Sequence, residues 1–269
     1  MLAALMALAG CGSAPVLPPA LPPHRFFLLG EQHDAPEHQQ LALQMALQLS
    51  ASSRLNALAL EMAEQGRSTQ GLPSDASEAT VRTALAWDGR GWPWAHYGPL
   101  VMATVRAGVP VVGANLPRGT LQNAMKNEAL DGALTAETHE KHLNNVRDGH
   151  CNLLPEAQLA SMVRVQIARD LAMAETLARL DTAAGPGQVT LLLAGSTHVN
   201  RRLGIPLHLP AASLVSVLMQ AGGPGDAQPG FDTVWPTPPV PATDYCAGMV
   251  LRPPRPDPSP APPPAPADR

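Results

Sequence analysis

His33, Glu61 and His198 are the residues whose types and settings could do chemistry. Each stands where an apolar run breaks off: Arg25-Phe26-Phe27-Leu28-Leu29-Gly30-Glu31-Gln32-His33-Asp34, Leu58-Ala59-Leu60-Glu61-Met62, and Val189-Thr190-Leu191-Leu192-Leu193-Ala194-Gly195-Ser196-Thr197-His198-Val199. The first and last of these runs share one design, an apolar stretch followed by Gly-x-x-His. Two imidazoles and a carboxylate form a set that a divalent transition metal accepts, imidazole suiting zinc, iron, copper or nickel. The same set performs general acid/base work, a histidine taking a proton while the carboxylate orients it. A serine nucleophile is not indicated, because Gly195-Ser196-Thr197-His198 does not make the Gly-x-Ser-x-Gly elbow.

Residues this far apart in sequence meet only if the fold aligns the ends of their strands. Parallel strands joined by right-handed crossovers place their carboxyl ends on one edge of a sheet, where the ligand crevice of an open α/β fold lies. The expected fold is therefore α/β, a mostly parallel sheet flanked by helices in a single domain with helical lid insertions. After the first strand a helix is expected from His38 to Ser50, with Leu41, Met45 and Leu49 at helical spacing and Asp34 as its N-cap. Glu31, Gln32 and His33 then occupy the strand-to-helix turn at the positive end of a helix dipole, and His38 is expected at the surface. A second strand covers Ala57 to Met62, and an irregular connection runs to Ala86.

Trp87 to Leu100 holds the chain's one aromatic concentration, with Trp87, Trp92, Trp94 and Tyr97. It reads either as a loop whose rings plug the core or as a flat wall for a planar ligand, with Tyr97 or His96 as a metal ligand. A helix over Leu100 to Ala107 leads to a strand over Val109 to Arg118, which projects Asn115 and Arg118 at its end. Helical segments follow over Leu121 to Val146 and Glu156 to Leu180, separated by a loop, Arg147 to Asn152, that could cap the crevice. Gln166, Arg169, Asp170 and Met173 recur along the second of these as a salt-bridged face. Beyond His198 come a helix start near Ala211, a strand from Ser213 to Met219 and a last edge strand from Asp244 to Leu251. The Pro-rich tail after Arg252 is expected to be disordered.

Composition excludes some partners. With 18 basic and 22 acidic residues among 269 and no dense Lys/Arg block, the chain lacks the basic footprint that nucleic acid requires. An apolar content of 45% suffices for a substantial core. Residues 1–11 end in Leu8-Ala9-Gly10-Cys11, which resembles the lipobox of a bacterial lipoprotein with Cys11 as the lipidated residue. The run is too short to span a bilayer and lacks a positive n-region, so a start codon upstream is expected. Residues 12–24 read as a Pro-rich tether, 25–252 as the folded domain and 253–269 as the tail. Cys151 and Cys246 remain, either paired in an oxidising compartment or left as inert thiols.

The residues together resemble a known family. Gly30-Glu31-Gln32-His33-Asp34, Leu60-Glu61-Met62, Trp92-x-Trp94-x-x-Tyr97, Ala114-Asn115-Leu116-Pro117-Arg118, Gly149-His150-Cys151, Gln166-x-x-Arg169-Asp170-x-x-Met173-Ala174 and Gly195-x-x-His198 occur in the order of the ChaN-like haem-binding lipoproteins. The resemblance covers Arg25 to Leu209 and extends to a wider Gly-x-x-His group with erythromycin esterase, TIKI and TraB proteins. It implies a bacterial outer-membrane lipoprotein facing the periplasm or the cell surface. It further implies haem as cofactor, a homodimer with cofacial haems and a part in iron acquisition. Under it, Tyr97 is a candidate axial ligand beside His33 or His198, Trp94 a wall for the porphyrin, and Arg118 and Arg169 cations for its propionates. The alternative is a hydrolase of esters or peptides using His33, Glu61 and His198, with or without a metal ion.

Overall fold

A computed structural model describes residues 25–223 and 225–249; the leader with Cys11, the tether and the tail lie outside the described residues. Its strands are β1 Phe26–Glu31, β2 Leu55–Glu64, β3 Val111–Asn115, β4 Val189–Gly195, β5 Leu214–Ala221 and β6 Thr233–Thr237. They form one parallel sheet in the order β3-β2-β4-β1-β5-β6. The helices are α1 Pro36–Ala51, α2 Glu78–Ala84, α3 Trp94–Arg106, α4 Leu121–Lys126, α5 Ala136–Gly149, α6 Glu156–Asp181 and α7 Ser196–Val199.

Helices cover both faces of the sheet, so β1 and β4 are buried at every position and read in sequence as unbroken apolar runs. Alternation still sorts their side chains between two cores. Phe27, Leu29, Leu191 and Leu193 pack with Met45 and Leu49 of α1 and with Leu100 and Val101 of α3. Phe26, Leu28 and Leu192 face Met173 and Leu177 of α6 instead. β1 and β4 are neighbours with Glu31 opposite Gly195, so the two Gly-x-x-His repeats run side by side, one residue out of step.

Several boundaries differ from the sequence reading for identifiable reasons. β3 ends at Asn115 because Leu116-Pro117 follows, and proline cannot donate to a ladder. α3 starts at Trp94 rather than Leu100; Pro99 forfeits one helical bond inside it, and burial of Tyr97, Leu100 and Val101 outweighs that loss. The connection after β2 contains α2, whose Ser77 hydroxyl caps the Thr80 N–H at 3.2 Å. The helical stretch from Leu121 breaks where Asn127 and Thr135 cap new starts. Residues 245–248 form a turn, not an edge strand; the edge is β6, which tolerates Pro236 because one side of an edge strand needs no donor.

Two single residues also differ. The cap of α1 is Ala35, with no side-chain bond, while Asp34 accepts hydrogen bonds from Gln32 Nε2 at 2.9 Å and from the Tyr245 hydroxyl. His38 is fully buried, not superficial: its Nδ1 accepts the Gln32 N–H at 2.9 Å and its Nε2 meets Thr237 Oγ1 at 3.0 Å. Cys151 and Cys246 are joined in a disulfide with Cα atoms 5.7 Å apart.

Candidate functional site

The parallel strand ends bring His33, Glu61 and His198 together. Glu61 lies in a stretch of β2 where pairing with β3 slips register, between Leu60 and Glu64, and such irregularities re-aim side chains at strand ends. Its carboxylate stands between the imidazoles, 4.0 Å from His33 Nε2 and 3.6 Å from His198 Nε2, and accepts the Gly195 N–H at 2.8 Å. A Cβ at Gly195 would sit 3.1 Å from His33 Nε2, so the absence of a side chain there admits the ring. At Gly30 a Cβ would meet Val199 at 2.5 Å, which lets α7 carry His198 down onto the end of β1.

Each imidazole has a second carboxylate behind it. His33 Nδ1 donates to Glu31 Oε1 at 2.8 Å, and His198 Nδ1 donates to Asp170 Oδ1 at 2.6 Å. The result is a row in which carboxylate and imidazole alternate: Glu31, His33, Glu61, His198, Asp170. Glu31 is its anchor, since Tyr97 donates to Oε1 at 2.8 Å and Gln39 of α1 to Oε2 at 2.5 Å.

Burial and charge compete along this row. Burial works against protonating His198, but the Asp170 and Glu61 charges prevail and raise its pKa to about 9. His33 follows the same pattern, burial opposing and the Glu31 bond and Glu61 charge winning, so its pKa is also raised. Burial would lift Glu61, but the two histidines and the Gly195 N–H hold it below the ordinary carboxylate range. Asp170 is raised, because there burial exceeds the pull of His198.

Glu31, His33 and His198 of the row line a cavity of about 680 Å³, which is also lined by His142, Val146 and His150 at the end of α5 and by Tyr245. The Cys151–Cys246 disulfide ties the Tyr245 segment to the residue after His150. His33 also lines a second cavity of about 280 Å³, together with Trp92, Asn115, Arg118 and Arg169.

Some expected residues fall elsewhere. Tyr97 is 1% exposed and its hydroxyl is given to Glu31, with burial first and the Glu31 charge second raising its pKa well beyond that of a free phenol. Its hydroxyl therefore faces the Glu31 carboxylate and Tyr97 lines neither cavity. Trp94 lines neither cavity; it packs edge-on to Trp87 with ring centres 5.0 Å apart, under the Arg82 guanidinium. The loop is thus mainly core, and its one cavity-facing ring is Trp92, edge-on to His33 at 4.8 Å. Arg118 is bound to Asp88 at 2.6 Å. Among the described residues no group of three or more His, Cys, Asp or Glu could hold a metal ion; both ring nitrogens of His33 and of His198 already face carboxylates. The divalent-metal alternative therefore has no support here.

Glu31 and Asp170 were missed as site residues. The sequence reading makes Asp170 part of a salt-bridged face, yet it is 1% exposed. A signal existed: it falls on the stripe of Val163, Ile167, Met173, Ala174 and Leu177, where α6 is buried.

The family described as "Haem-binding uptake, Tiki superfamily, ChaN" matches residues 19–209, more than half of the chain. Among solved structures, ChaN of Campylobacter jejuni, described with cofacial haem binding, is 25% identical over 79% of this chain and 87% of its own, with a TM-score of 0.62. The type III effector HopBA1 is 14% identical over 80% of this chain and 88% of its own, at a TM-score of 0.44 that carries no argument. No curated protein matches. With a parallel α/β sheet, the paired Gly-x-x-His strand ends and a family match spanning the sheet's first four strands, the chain belongs to the ChaN haem-binding uptake family of the Tiki superfamily.

Proposed function

We propose that this chain binds haem in the cavity at the carboxyl edge of the sheet and handles it in iron acquisition. The observation that carries the reading is the 680 Å³ cavity lined by His33, His142, His150 and His198 in a member of a haem-binding family. Its volume lies within the roughly 300 to 1,000 Å³ of ligand sites. Imidazole is a suitable donor to iron, and Val146, Gly149 and Gly195 leave part of the wall apolar or without side chains. Arg118 and Arg169 in the adjoining cavity offer cations to propionates, with His33 common to both spaces. Haem, when bound, supplies an iron centre and two broad apolar faces whose burial is worth roughly 25 cal/mol per Å². Titrating haemin into the protein is the test. A saturable, defined Soret band supports the reading, and weak featureless absorbance of adsorbed haemin removes it.

A second reading draws on a specific feature. The Nδ1–H of His33 is held by Glu31 while 40% of the side chain stays open to solvent, the arrangement of a carboxylate-oriented general base. A hydrolase acting through His33 with Glu61 and His198 would lose turnover of ester or peptide substrates in His33→Ala. Absence of turnover in the wild type across such a panel removes this reading.

The cellular setting is part of the proposal. A lipid on Cys11 would hold the chain at the outer membrane facing the periplasm, and a disulfide such as Cys151–Cys246 suits that oxidising compartment. No helix among the described residues is long and apolar enough to cross a membrane. Intact-mass analysis of the membrane fraction should show a diacylglyceryl adduct; an unmodified soluble chain refutes the anchor. Homodimerisation on haem binding, as the cofacial haems of the Campylobacter jejuni protein suggest, is checked by sedimentation with and without haemin.

A further inference from the structure

Residues 238–249 follow β6 with little to hold them to the fold. β6 is parallel to β5, and so ends on the same edge of the sheet as β1 and β4, where the main cavity lies. From Pro238 to Met249 every residue is exposed except the half-buried Val240. Pro238, Pro239 and Pro241 have no N–H to offer a sheet or a helix. The one bend is local: Asp244 Oδ1 accepts the Cys246 N–H at 2.9 Å and the Ala247 N–H at 3.2 Å. A stretch that buries so little apolar surface has no packing of its own to keep it in place.

Its hydrogen-bonded and covalent ties to other elements, among the described residues, fall at two neighbouring positions. The Tyr245 hydroxyl donates to Asp34 and accepts from Gln32 Nε2 at 3.5 Å, which sets it on the β1–α1 turn beside His33. Cys246 is joined to Cys151, the residue after His150 at the end of α5. Gln32, His33, Asp34, His150 and Tyr245 all line the main cavity. The segment therefore links the β1–α1 turn to the end of α5, two parts of the chain that border the same space. Of its two ties, the disulfide is the one that a chemical signal can open, and Cys246 is exposed to an attacking thiolate.

We propose that residues 238–249 form a redox-released strap on the main cavity. The intact Cys151–Cys246 disulfide holds Tyr245 against the ligand space, and reduction by a dithiol frees the segment and lets the ligand leave; for the identity of that ligand the proposal rests on the haem-binding reading. One thiolate of the dithiol attacks Cys246 Sγ, the S–S bond breaks, and Cys151 leaves as a thiolate that takes up a proton. The second thiolate then attacks its own partner sulfur in the mixed disulfide, and Cys246 leaves and is protonated in turn. The chain gains the two electrons and two protons that the dithiol loses.

The test compares the oxidised full chain, the same chain reduced with dithiothreitol that is then removed by anaerobic gel filtration, and the Cys246→Ser and Tyr245→Phe variants. Haemin release is timed by transfer to excess apomyoglobin, and chymotrypsin cleavage after residue 245 is timed on the ligand-free protein. Reduction and Cys246→Ser should each speed release about tenfold or more, since changes at one site fall mainly on the off-rate. Cleavage should accelerate in the same samples, and Cys246→Ser should not respond further to dithiothreitol. Tyr245→Phe keeps the disulfide but loses the bond to Asp34, so it should release haemin faster than the oxidised wild type and more slowly than the reduced one. Should the disulfide-free chains lose their native tryptophan emission, this variant decides: faster release sustains the strap, and an unchanged rate overturns it. If reduction alters neither rate, or speeds cleavage while release stays as it was, the proposal is overturned and haem binding stands. A wild type without a defined Soret band refutes the haem-binding reading alone, and the strap is then decided by whether reduction speeds cleavage.

Discussion

His198 makes stability depend on pH in a direction and by an amount that follow from its surroundings. Its side chain is 10% exposed, enclosed by Asp170 of α6 on Nδ1 and Glu61 of β2 near Nε2, with Arg169 opposing. In the unfolded chain it titrates at its ordinary 6.5, and in the folded protein at about 9. A base whose pKa is raised by folding contributes stability that is fully present below pH 6.5 and is lost as pH rises through 9. At about 1.36 kcal/mol per unit, the interval is worth roughly 3 to 4 kcal/mol. His33, also raised, adds a smaller slope in the same direction. Urea unfolding followed by tryptophan fluorescence at intervals from pH 6 to pH 9.5, with the disulfide intact, measures the effect. His198→Gln should be less stable than the wild type at pH 6 and should approach it at pH 9.5. A wild type whose stability is flat across this range, or a variant that declines as steeply, would falsify the claim that the two carboxylates hold His198 protonated.

Acid should act through a different histidine. Burial keeps His38 neutral with its pKa lowered to about 4, so stability is lost as pH falls from 6.5 towards 4, and a His38→Asn variant should lack that part of the acid slope. Glu31→Gln replaces an acceptor of three hydrogen bonds by an amide that presents N–H groups to Gln39 or Tyr97; a loss of about 1 to 3 kcal/mol is expected, read by thermal unfolding. Cys246→Ser opens a link spanning 95 residues and should cost about 4.7 kcal/mol in the chain-entropy account. It should also speed haemin association by freeing the Tyr245 segment, which stopped-flow absorbance would reveal. Trp94→Ala should leave the haemin affinity and Soret band unmoved, because the ring lies outside both cavities.

The central strands could be read from the sequence because β1 and β4 are covered on both faces. Every residue of such a strand is under the same demand for apolar character, so the run and its abrupt polar end are visible without a structure. That two of these ends share Gly-x-x-His, and that parallel strands deliver their ends to one edge, was enough to place His33, Glu61 and His198 near one another. β6 was not legible: Thr233-Val234-Trp235-Pro236-Thr237 carries a proline and lies among others, and an edge position alone makes it admissible.

Other properties were decided by partners that come from elsewhere in the chain. Asp170 is a site residue only because the crossover of α6 lays it against His198, 28 residues away; on an isolated helix the same carboxylate would be a solvated charge. His38 is buried because β6 arrives 199 residues later to cover it, and Tyr97 is withdrawn from the cavity because Glu31 meets it across α3 and β1. The pairing of Cys151 with Cys246 depended on a separation in space that no spacing encodes. Residue type and local pattern determine which groups can ionise, donate or ligate. Which nitrogen is occupied, which hydroxyl is sealed and which charge is raised or lowered depends on distances of 2.5 to 4.0 Å across the sheet edge, and only tertiary packing sets those.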